Sequence, residues 1–310
     1  MSVLHGGIDY IEPAELLPRV CRSLCLAAGV HGYRGRVPNL YATSDLHVTH
    51  QGNEPFVDQI TPESPDDWLI VAGDVGERMG TVVDTLARLR ERFATVVWVP
   101  GNHELWTTAQ DPDQHRGEER YRELVRRCRE IDVCTPEDTF PVWPHAERPL
   151  TVAPLFVLYD YSWRAAPAEG VSVAEALRQA REAGVVCTDE FLLHHDPYPN
   201  RQEWCARRLE YSEKRLAEIP QDHGTVLVSH WPLHRHPTEP LIYPEFVLWC
   251  GTRETERWHV QYRAELAVYG HLHIPRTTTV DGVRFEEVSL GYPREWRRRA
   301  RGPVPVRRLL

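Results

Sequence analysis

The sequence of 310 residues lacks a hydrophobic run long enough to cross a membrane. Such a span needs about 20 consecutive apolar residues. The apolar stretch at residues 16–30 is interrupted by Pro18, Arg19 and Arg22. These interruptions also argue against the apolar region of a secretory signal peptide. We therefore expect a cytoplasmic protein with no membrane partner.

Cysteine is scarce and shows no pattern of pairing. The seven cysteines are an odd number without a C-x-x-C pair, and they stand at positions 21, 25, 128, 134, 187, 205 and 250. Neither a disulfide framework nor a thiolate zinc site is therefore indicated. We expect reduced thiols, as in the cytoplasm.

The chain also lacks an excess of positive charge. Lys214 is the only lysine, the formal net charge is −9 and the isoelectric point is about 6.0. Because no global basic field attracts phosphate backbones, these values argue against a general nucleic-acid binder. The acidity is ordinary for a soluble enzyme, and the length suits one large α/β domain with insertions.

What the sequence does have is an acidic residue at the end of a buried strand, in WLIVAGDVGER at residues 68–78. The four apolar residues Trp68–Val71 are too few for a helix but fit a strand buried on both faces. Gly73 and Gly76 predict a tight turn at its end. The turn presents Asp74 at the edge of the sheet where ligands bind in open α/β folds.

Four more apolar runs end in nitrogen or oxygen donor side chains. These donors are Asp45 and His47 in LYATSDLH, Asn102 and His103 in TVVWVPGNHE, His230 in TVLVSH, and His271 and His273 in LAVYGHLH. A D-x-H pair directs both side chains to one side of an extended backbone. A helix over 81–92 followed by a strand over 94–99 predicts a right-handed crossover, so the Asp74 and Asn102 turns lie side by side.

The five blocks D-x-H, G-D-x-x-E, G-N-H-E, S-H and G-H-x-H, in residues 43–104 and 225–273, resemble the calcineurin-like metallophosphoesterase family. The resemblance implies an α/β fold, a four-layer α/β/β/α sandwich with two mixed sheets. It also implies a two-metal centre in which one ion takes Asp45, His47, Asp74 and His273 and the other takes Asp74, Asn102, His230 and His271. In this arrangement Asp74 bridges the two ions, because two dications about 3.5–4 Å apart repel each other and need a shared anion. Imidazole, carboxylate and amide ligands suit Mn or Fe, with Zn as a further option.

Three residues are predicted to take part in catalysis. His103 is not needed as a ligand but stands at the metal edge, where it could protonate a leaving oxygen. Glu77 resembles the acid that orients this histidine in the protein-phosphatase branch of the family, and such a partner would raise the imidazole pKa. Arg78 resembles the phosphate-binding arginine of that branch. Met79 and Pro100 depart from the branch's pattern, so a protein phosphatase is not the favoured activity.

Four polar residues beside the motifs are interpreted as having no part in the metal centre. His50 and Asn53 are interpreted as solvated loop residues, since polar side chains are common in loops. His234 and His236 are interpreted as loop or supporting histidines, because ligands cluster at strand ends.

The predicted organisation is an N-terminal extension at 1–37, a phosphoesterase domain at 38–293 and an Arg-rich tail at 294–310. We expect the tail to be solvated, with an acidic partner as the alternative. Residues 105–224 are predicted to be a cap-like insertion, or else a surface decoration. Their periodicity predicts helices over 118–129, 173–183 and 202–217 and a strand over 150–158. Asp281-Gly282 predicts a hairpin turn.

Three longer segments, APLFVLYDYSW, LIYPEFVLWCGT and YGHLHIPRTTTVDGVRFEEVSLGYPREW, resemble an actinobacterial subgroup of phosphopantetheinyl hydrolases. This resemblance implies cleavage of the phosphodiester that joins 4′-phosphopantetheine to acyl carrier protein. A small-molecule phosphomonoesterase or a cyclic-nucleotide phosphodiesterase stays open as the alternative. A non-catalytic metal-binding scaffold is a remote one, since no motif position is missing.

Overall fold

The computed structural model describes residues 37–144 and 148–310. The strands are Leu40–Thr43 (β1), Trp68–Val71 (β2), Thr95–Trp98 (β3), Val142–Trp143 (β4), Leu150–Pro154 (β5), Gly224–Val228 (β6), Ala264–Tyr269 (β7), Thr277–Val280 (β8), Val283–Glu287 (β9) and Arg307–Arg308 (β10). The predicted N-terminal extension lies outside the described residues up to residue 36.

The α-helices are Met79–Arg90 (α1), Asn102–Leu105 (α2), Gly117–Glu130 (α3), Val173–Glu182 (α4), Asp189–Leu192 (α5), Arg201–Ala217 (α6), Trp258–Gln261 (α7) and Pro293–Trp296 (α8). Short 3₁₀ helices cover Glu54–Gln59, Ala166–Ala168, His236–Thr238, Pro244–Trp249 and Arg253–Thr255. Among the residues with described positions, no helix combines the length and the apolar content that a membrane span requires.

Within the described residues the strands form two mixed sheets. The first has the order β10-β1-β2-β3, with β1, β2 and β3 parallel and β10 antiparallel. The second has the order β4-β5-β6-β7-β9-β8, with parallel pairing from β5 to β9 and antiparallel strands at both edges. The carboxyl ends of the parallel strands therefore bring several turns to one edge of each sheet.

The two sheets pack face to face, with helices outside. The inner layer contains alternate residues of both sheets, among them Ala42, Ile70 and Val97 from the first and Val226 and Val268 from the second. Successive side chains of a strand point to opposite faces. The other face of the first sheet packs against α1 and α3, and the other face of β5 and β6 packs against α6. The predicted α/β/β/α sandwich is confirmed.

Most of the predicted elements are present within one or two residues of their expected ends. The hairpin is confirmed, since Val280 pairs with Val283 on either side of Asp281-Gly282. The strand expected over 150–158 is too long. It ends at Pro154, the Leu155 N–H makes one further bond to the Val228 carbonyl, and residues 156–158 continue as buried, irregular chain.

The segment 105–224 is not a separate cap. β4 and β5 belong to the six-stranded sheet, and α3 and α6 form parts of the outer helical layers. The physical reason is the apolar content of β5, all of whose residues are buried. Parts of this segment reach the strand ends, where Asp189 contacts Asn102, the Trp106 ring packs on His103 and Arg120 donates to the Glu104 carbonyl.

The C-terminal tail is not free in solvent. Arg307 and Arg308 pair with β1, and the backbone N–H of Leu40 donates to the Leu310 carbonyl at 3.0 Å. Leu309 is buried in the layer between the sheets. This short strand covers β1, which would otherwise be an open edge of the first sheet. The expectation of a solvated tail is therefore wrong for residues 307–310.

Candidate metal centre

The seven predicted metal ligands meet at one place, where the carboxyl ends of β1, β2 and β3 face those of β6 and β7. Asp45, His47, Asp74, His271 and His273 all have a positive φ, between 41° and 68°. Such a conformation costs a non-glycine residue about 1–3 kcal/mol, and it concentrates at functional sites. The strained turns direct five polar side chains inward from the strand ends.

The first group of donors is Asp45, His47 and His273. The Nε2 atoms of the two histidines lie 3.2 Å apart, and His273 Nε2 lies 2.9 Å from Asp45 Oδ1. His47 Nε2 is 3.9 Å from the same carboxylate oxygen. Asp45 and His47 are fully buried. Three donor atoms thus converge on a small and largely buried space.

The second group is Asn102, His230 and His271. The Oδ1 atom of Asn102 lies 3.1 Å from His230 Nε2 and 3.2 Å from His271 Nδ1. Burial and the neighbouring His230 lower the pKa of His271 to about 3, which keeps this imidazole neutral. A neutral imidazole has the lone pair that a metal ion requires.

Asp74 lies between the two groups. Its Oδ2 atom is 3.4 Å from His230 Nε2 and 3.8 Å from His47 Nε2. Its Oδ1 atom accepts a hydrogen bond from the His103 backbone N–H at 2.9 Å. A Cβ atom on Gly101 would lie 2.1 Å from Asp74 Oδ1, so only glycine leaves room for the carboxylate. One oxygen of Asp74 therefore faces both groups.

These spacings fit metal ions. Ligands about 2.1 Å from one ion lie about 3.0–3.4 Å from each other in octahedral and tetrahedral coordination. Within each group the described donor atoms are 2.9–3.9 Å apart. Two further combinations of donors have ligand atoms within 4.8 Å of one another, namely His47, Asp74 and His103, and Asp45, Asp74 and His230. The donor set therefore fits divalent metal ions.

Partners outside the ligand set hold the imidazoles and the amide in place. His230 Nδ1 donates to the Ala72 carbonyl at 2.8 Å, and His273 Nδ1 lies 2.7 Å from Glu295 Oε2. Asn102 Nδ2 donates to Asp189 Oδ1 at 2.9 Å, so its oxygen faces the histidines. Such partners fix which ligand atom points to the metal.

Sequence reasoning missed several of these partners. Glu295 and Asp189 stand outside the five blocks, and no local pattern distinguishes them from other acidic residues. Glu104 belongs to G-N-H-E but received no assignment. It is fully buried, and its carboxylate accepts from the backbone N–H groups of Gly101 at 2.8 Å, Asp74 at 2.9 Å and Val75 at 2.7 Å. Glu104 thus ties the two central turns together.

The predicted pair of His103 and Glu77 is close enough to interact. His103 Nδ1 lies 2.9 Å from Glu77 Oε1, and Glu77 also accepts a hydrogen bond from the Thr49 hydroxyl. Burial favours the neutral imidazole, but Asp74 and Glu77 outweigh it and raise the pKa of His103. Burial opposes the charge on Glu77, yet the bond from His103 lowers the pKa of Glu77 to about 2.

The ring of His103 exposes its other nitrogen to the site. His103 Nε2 is 3.8 Å from Asp74 Oδ2 and 3.3 Å from the hydroxyl of Tyr292, a residue that the motifs do not include. Arg78 is exposed just before α1, and its predicted contact with phosphate stays a prediction.

The four polar residues beside the motifs differ in their surroundings. Asn53 is not a solvated loop residue, because it is buried, its amide donates to the carbonyls of Leu46 and Gly291, and its oxygen accepts from Trp296. His50 is exposed. His234 packs against His259, and His236 contacts Glu239, so neither joins the ligand groups.

Comparisons with known proteins agree with this geometry. The calcineurin-like phosphoesterase family matches residues 38–275. The chain is 56% identical over 265 residues to the acyl-carrier-protein phosphodiesterase PptH of Mycobacterium tuberculosis, an alignment that covers 86% of this chain and 81% of that protein.

Two solved structures are also similar. The crystal structure of phosphopantetheinyl hydrolase (PptH) from Mycobacterium tuberculosis matches with a TM-score of 0.85 and 55% identity, over 89% of this chain and 97% of that one. A putative 5′-nucleotidase from Staphylococcus aureus matches with a TM-score of 0.43 and 14% identity, over 82% of this chain and 48% of that one.

Proposed function

Because this chain belongs to the calcineurin-like phosphoesterase family, we propose that it cleaves the phosphodiester joining 4′-phosphopantetheine to a serine of holo-acyl carrier protein. The substrate assignment rests on the 56% identity to an acyl-carrier-protein phosphodiesterase, over 81% of that protein. The products are apo-carrier protein and free 4′-phosphopantetheine.

The proposed cofactor is a pair of divalent transition-metal ions, with Mn or Fe favoured and Zn as a further option. Asp45, His47 and His273 would hold one ion, Asn102, His230 and His271 the other, and Asp74 would bridge them. When bound, such ions supply Lewis-acid stabilisation of the phosphoryl group and activation of water.

The chain's own residues supply the proton for the leaving group. Serine oxygen is a poor leaving group, so the reaction needs a general acid. The contact between His103 Nδ1 and Glu77 Oε1, at 2.9 Å, orients the ring so that Nε2 faces the site. Glu77 also stabilises the charged imidazolium, which is the form that can give a proton to the serine oxygen. Arg78 is proposed as a further contact for the phosphate.

The proposed partner is the carrier protein, and the proposed location is the cytoplasm. Cys128, Cys187, Cys205 and Cys250 are free and buried. Free cysteines are typical of a reducing compartment.

Intact-mass spectrometry tests the substrate. Holo-acyl carrier protein is incubated with the enzyme and Mn²⁺, and its mass should fall by about 340 Da, the mass of the arm. A parallel reaction with metal-depleted enzyme should leave the mass unchanged. No mass change with the metal-loaded enzyme, together with good turnover of cyclic AMP or a phosphomonoester, would instead support the small-molecule alternative.

A further inference from the structure

A C-terminal segment, residues 289–299, contacts the metal centre from outside the region that the family shares. The family match ends at residue 275. Beyond that point, Ser289 Oγ donates to Asp45 Oδ2 at 2.7 Å, and Glu295 Oε2 lies 2.7 Å from His273 Nδ1. The Tyr292 hydroxyl lies 3.3 Å from His103 Nε2. Of these three contacts, only the one from Tyr292 reaches the predicted general acid.

Tyr292 is held firmly in this position. Its ring stacks on His47 with the centroids 4.4 Å apart and an angle of 24° between the planes. Its backbone N–H donates to Glu295 Oε2 at 2.9 Å, the same oxygen that contacts His273. Gly291 has a φ of +77°, and a Cβ atom there would lie 2.7 Å from this oxygen. Several independent contacts thus fix the direction of the hydroxyl.

We propose that the Tyr292 hydroxyl is a second hydrogen-bond donor to the leaving oxygen, beside His103. This inference deepens the proposed function, since it uses the same reaction centre. His103 Nε2 and the Tyr292 hydroxyl are 3.3 Å apart. One substrate oxygen can therefore lie about 2.8 Å from both atoms, within ordinary hydrogen-bond distance.

His103 and Tyr292 have different roles in the step that breaks the ester. A water oxygen forms the new bond to phosphorus, and the bond from phosphorus to the leaving oxygen breaks. The proton on His103 Nε2 moves to the departing oxygen, and the proton released by the water balances it. Tyr292 keeps its proton and stabilises the negative charge that develops on the departing oxygen. A poor leaving group benefits more than a good one, because more charge needs stabilisation.

The dependence on the leaving group tests this proposal. In Tyr292→Phe the ring that stacks on His47 is kept and only the hydroxyl is removed. We expect kcat/KM for methyl phenyl phosphate to fall about 10- to 100-fold, as for the loss of a hydrogen bond to a charged group. The loss for methyl p-nitrophenyl phosphate should be under about 3-fold, because p-nitrophenolate leaves with little assistance. Metal content and the melting temperature should match those of the wild type.

Tyr262→Phe is the matched control. Tyr262 lies two residues before β7, at the opposite end of the strand from His271, and its hydroxyl accepts from Gln261 at 3.0 Å. This variant should show no dependence on the leaving group.

Equal losses for the two diesters, no loss for either, or loss of metal in Tyr292→Phe would each overturn the proposal. If the expected pattern appears while the wild type leaves holo-acyl carrier protein intact, the Tyr292 inference stands and the carrier-protein substrate fails.

Discussion

His103 is the motif histidine that is not a predicted ligand. It lies beside the ligand groups, and its ring contacts the carboxylate of Glu77. His103→Asn removes the only nitrogen there that can both hold a proton and face the leaving group. We expect kcat to fall by roughly 10²–10⁴, the usual contribution of a general acid. Elemental analysis should find the wild-type metal content, close to two ions per chain, because His103 is not among the seven predicted ligands.

The matched control is His236→Asn, an exposed histidine that contacts Glu239. It should retain full turnover. Loss of metal from His103→Asn would show that His103 is a ligand and that the division between ligands and acid is wrong.

Asp189 holds Asn102, a predicted ligand of the second ion. Its carboxylate accepts from Asn102 Nδ2 at 2.9 Å, Trp106 Nε1 at 2.7 Å and the Tyr159 hydroxyl at 2.9 Å. Asp189→Asn removes the negative charge that accepts these three hydrogen bonds, so its hold on the Asn102 amide weakens. We expect the affinity for one of the two ions to fall about 10- to 100-fold, as for other partners of metal ligands.

Dialysis against a metal-limited buffer followed by elemental analysis measures this effect, and it should leave about one ion per chain. Asp160→Asn is the matched control, because Asp160 contacts Ser162 and Thr252 and no predicted ligand. Retention of both ions by Asp189→Asn would contradict the orienting contact.

At the scale of residues, local sequence was enough to predict which donor side chains converge at the strand ends, but not the residues that support them. Asp45, Asp74 and His271 each follow an apolar run directly, so the local sequence predicts their position at the end of a strand. Asp189 reaches Asn102 across 87 residues and His273 reaches Glu295 across 22. No period or motif encodes such contacts, which depend on how distant elements pack.

At the scale of elements, the turn after β3 needs glycine because the turn after β2 lies against it. A Cβ atom on Gly101 would lie 2.7 Å from the Asp74 backbone nitrogen and closer still to its carboxylate. We expect Gly101→Ala to lower the free energy of unfolding by about 1–3 kcal/mol, as for other overpacked sites. Urea denaturation of the metal-free protein measures this, and metal content should fall as well.

Gly80→Ala is the matched control. Gly80 lies in α1, and nothing comes within 4 Å of a Cβ atom built there. The same substitution should therefore raise the stability by about 0.5–1 kcal/mol, since alanine is the better helix former. Equal effects of the two variants would show that the turns can separate without loss.

The elements differ in how well sequence predicts them. β1, β2 and β3 are apolar runs with polar flanks, and their short length and apolar content identified them. β10 is two arginines, and its place at the edge of the sheet depends on Leu309, which is buried between the sheets. β5 joins the second sheet rather than a cap because it pairs with β6, far along the chain. Pairing partners at such distances are not visible in local sequence.

At the scale of the whole molecule, an acidic protein carries a cluster of arginines beside its metal centre. Arg294, Arg297, Arg298 and Arg301 are exposed. The guanidinium of Arg294 lies over the ring of Tyr292, 5.4 Å from its centroid, and Tyr292 contacts His103. Arg299 does not belong to this surface, because it donates to the carbonyls of Leu290 and His273. The basic surface therefore borders the site that would receive the carrier's arm.

This surface predicts that salt slows the reaction with the carrier protein but not with a small diester. An acidic carrier would be attracted by exposed arginines, which raise the encounter rate more than the affinity. In the double variant Arg294→Glu and Arg297→Glu, kcat/KM for holo-acyl carrier protein should fall about 10-fold at low salt. The difference from wild type should shrink as the Debye length falls from about 30 Å at 0.01 M to about 8 Å at 0.15 M. Turnover of methyl p-nitrophenyl phosphate should stay at the wild-type rate.

A double variant on another face separates local attraction from net charge. Arg207→Glu with Lys214→Glu makes the same change in charge on the exposed side of α6. Because screened fields decay within about a Debye length, this control should lose much less activity on the carrier protein at 0.15 M salt. Equal losses from the two double variants would assign the effect to the net charge of the molecule. No loss from either would mean that the carrier approaches the metal centre by another face.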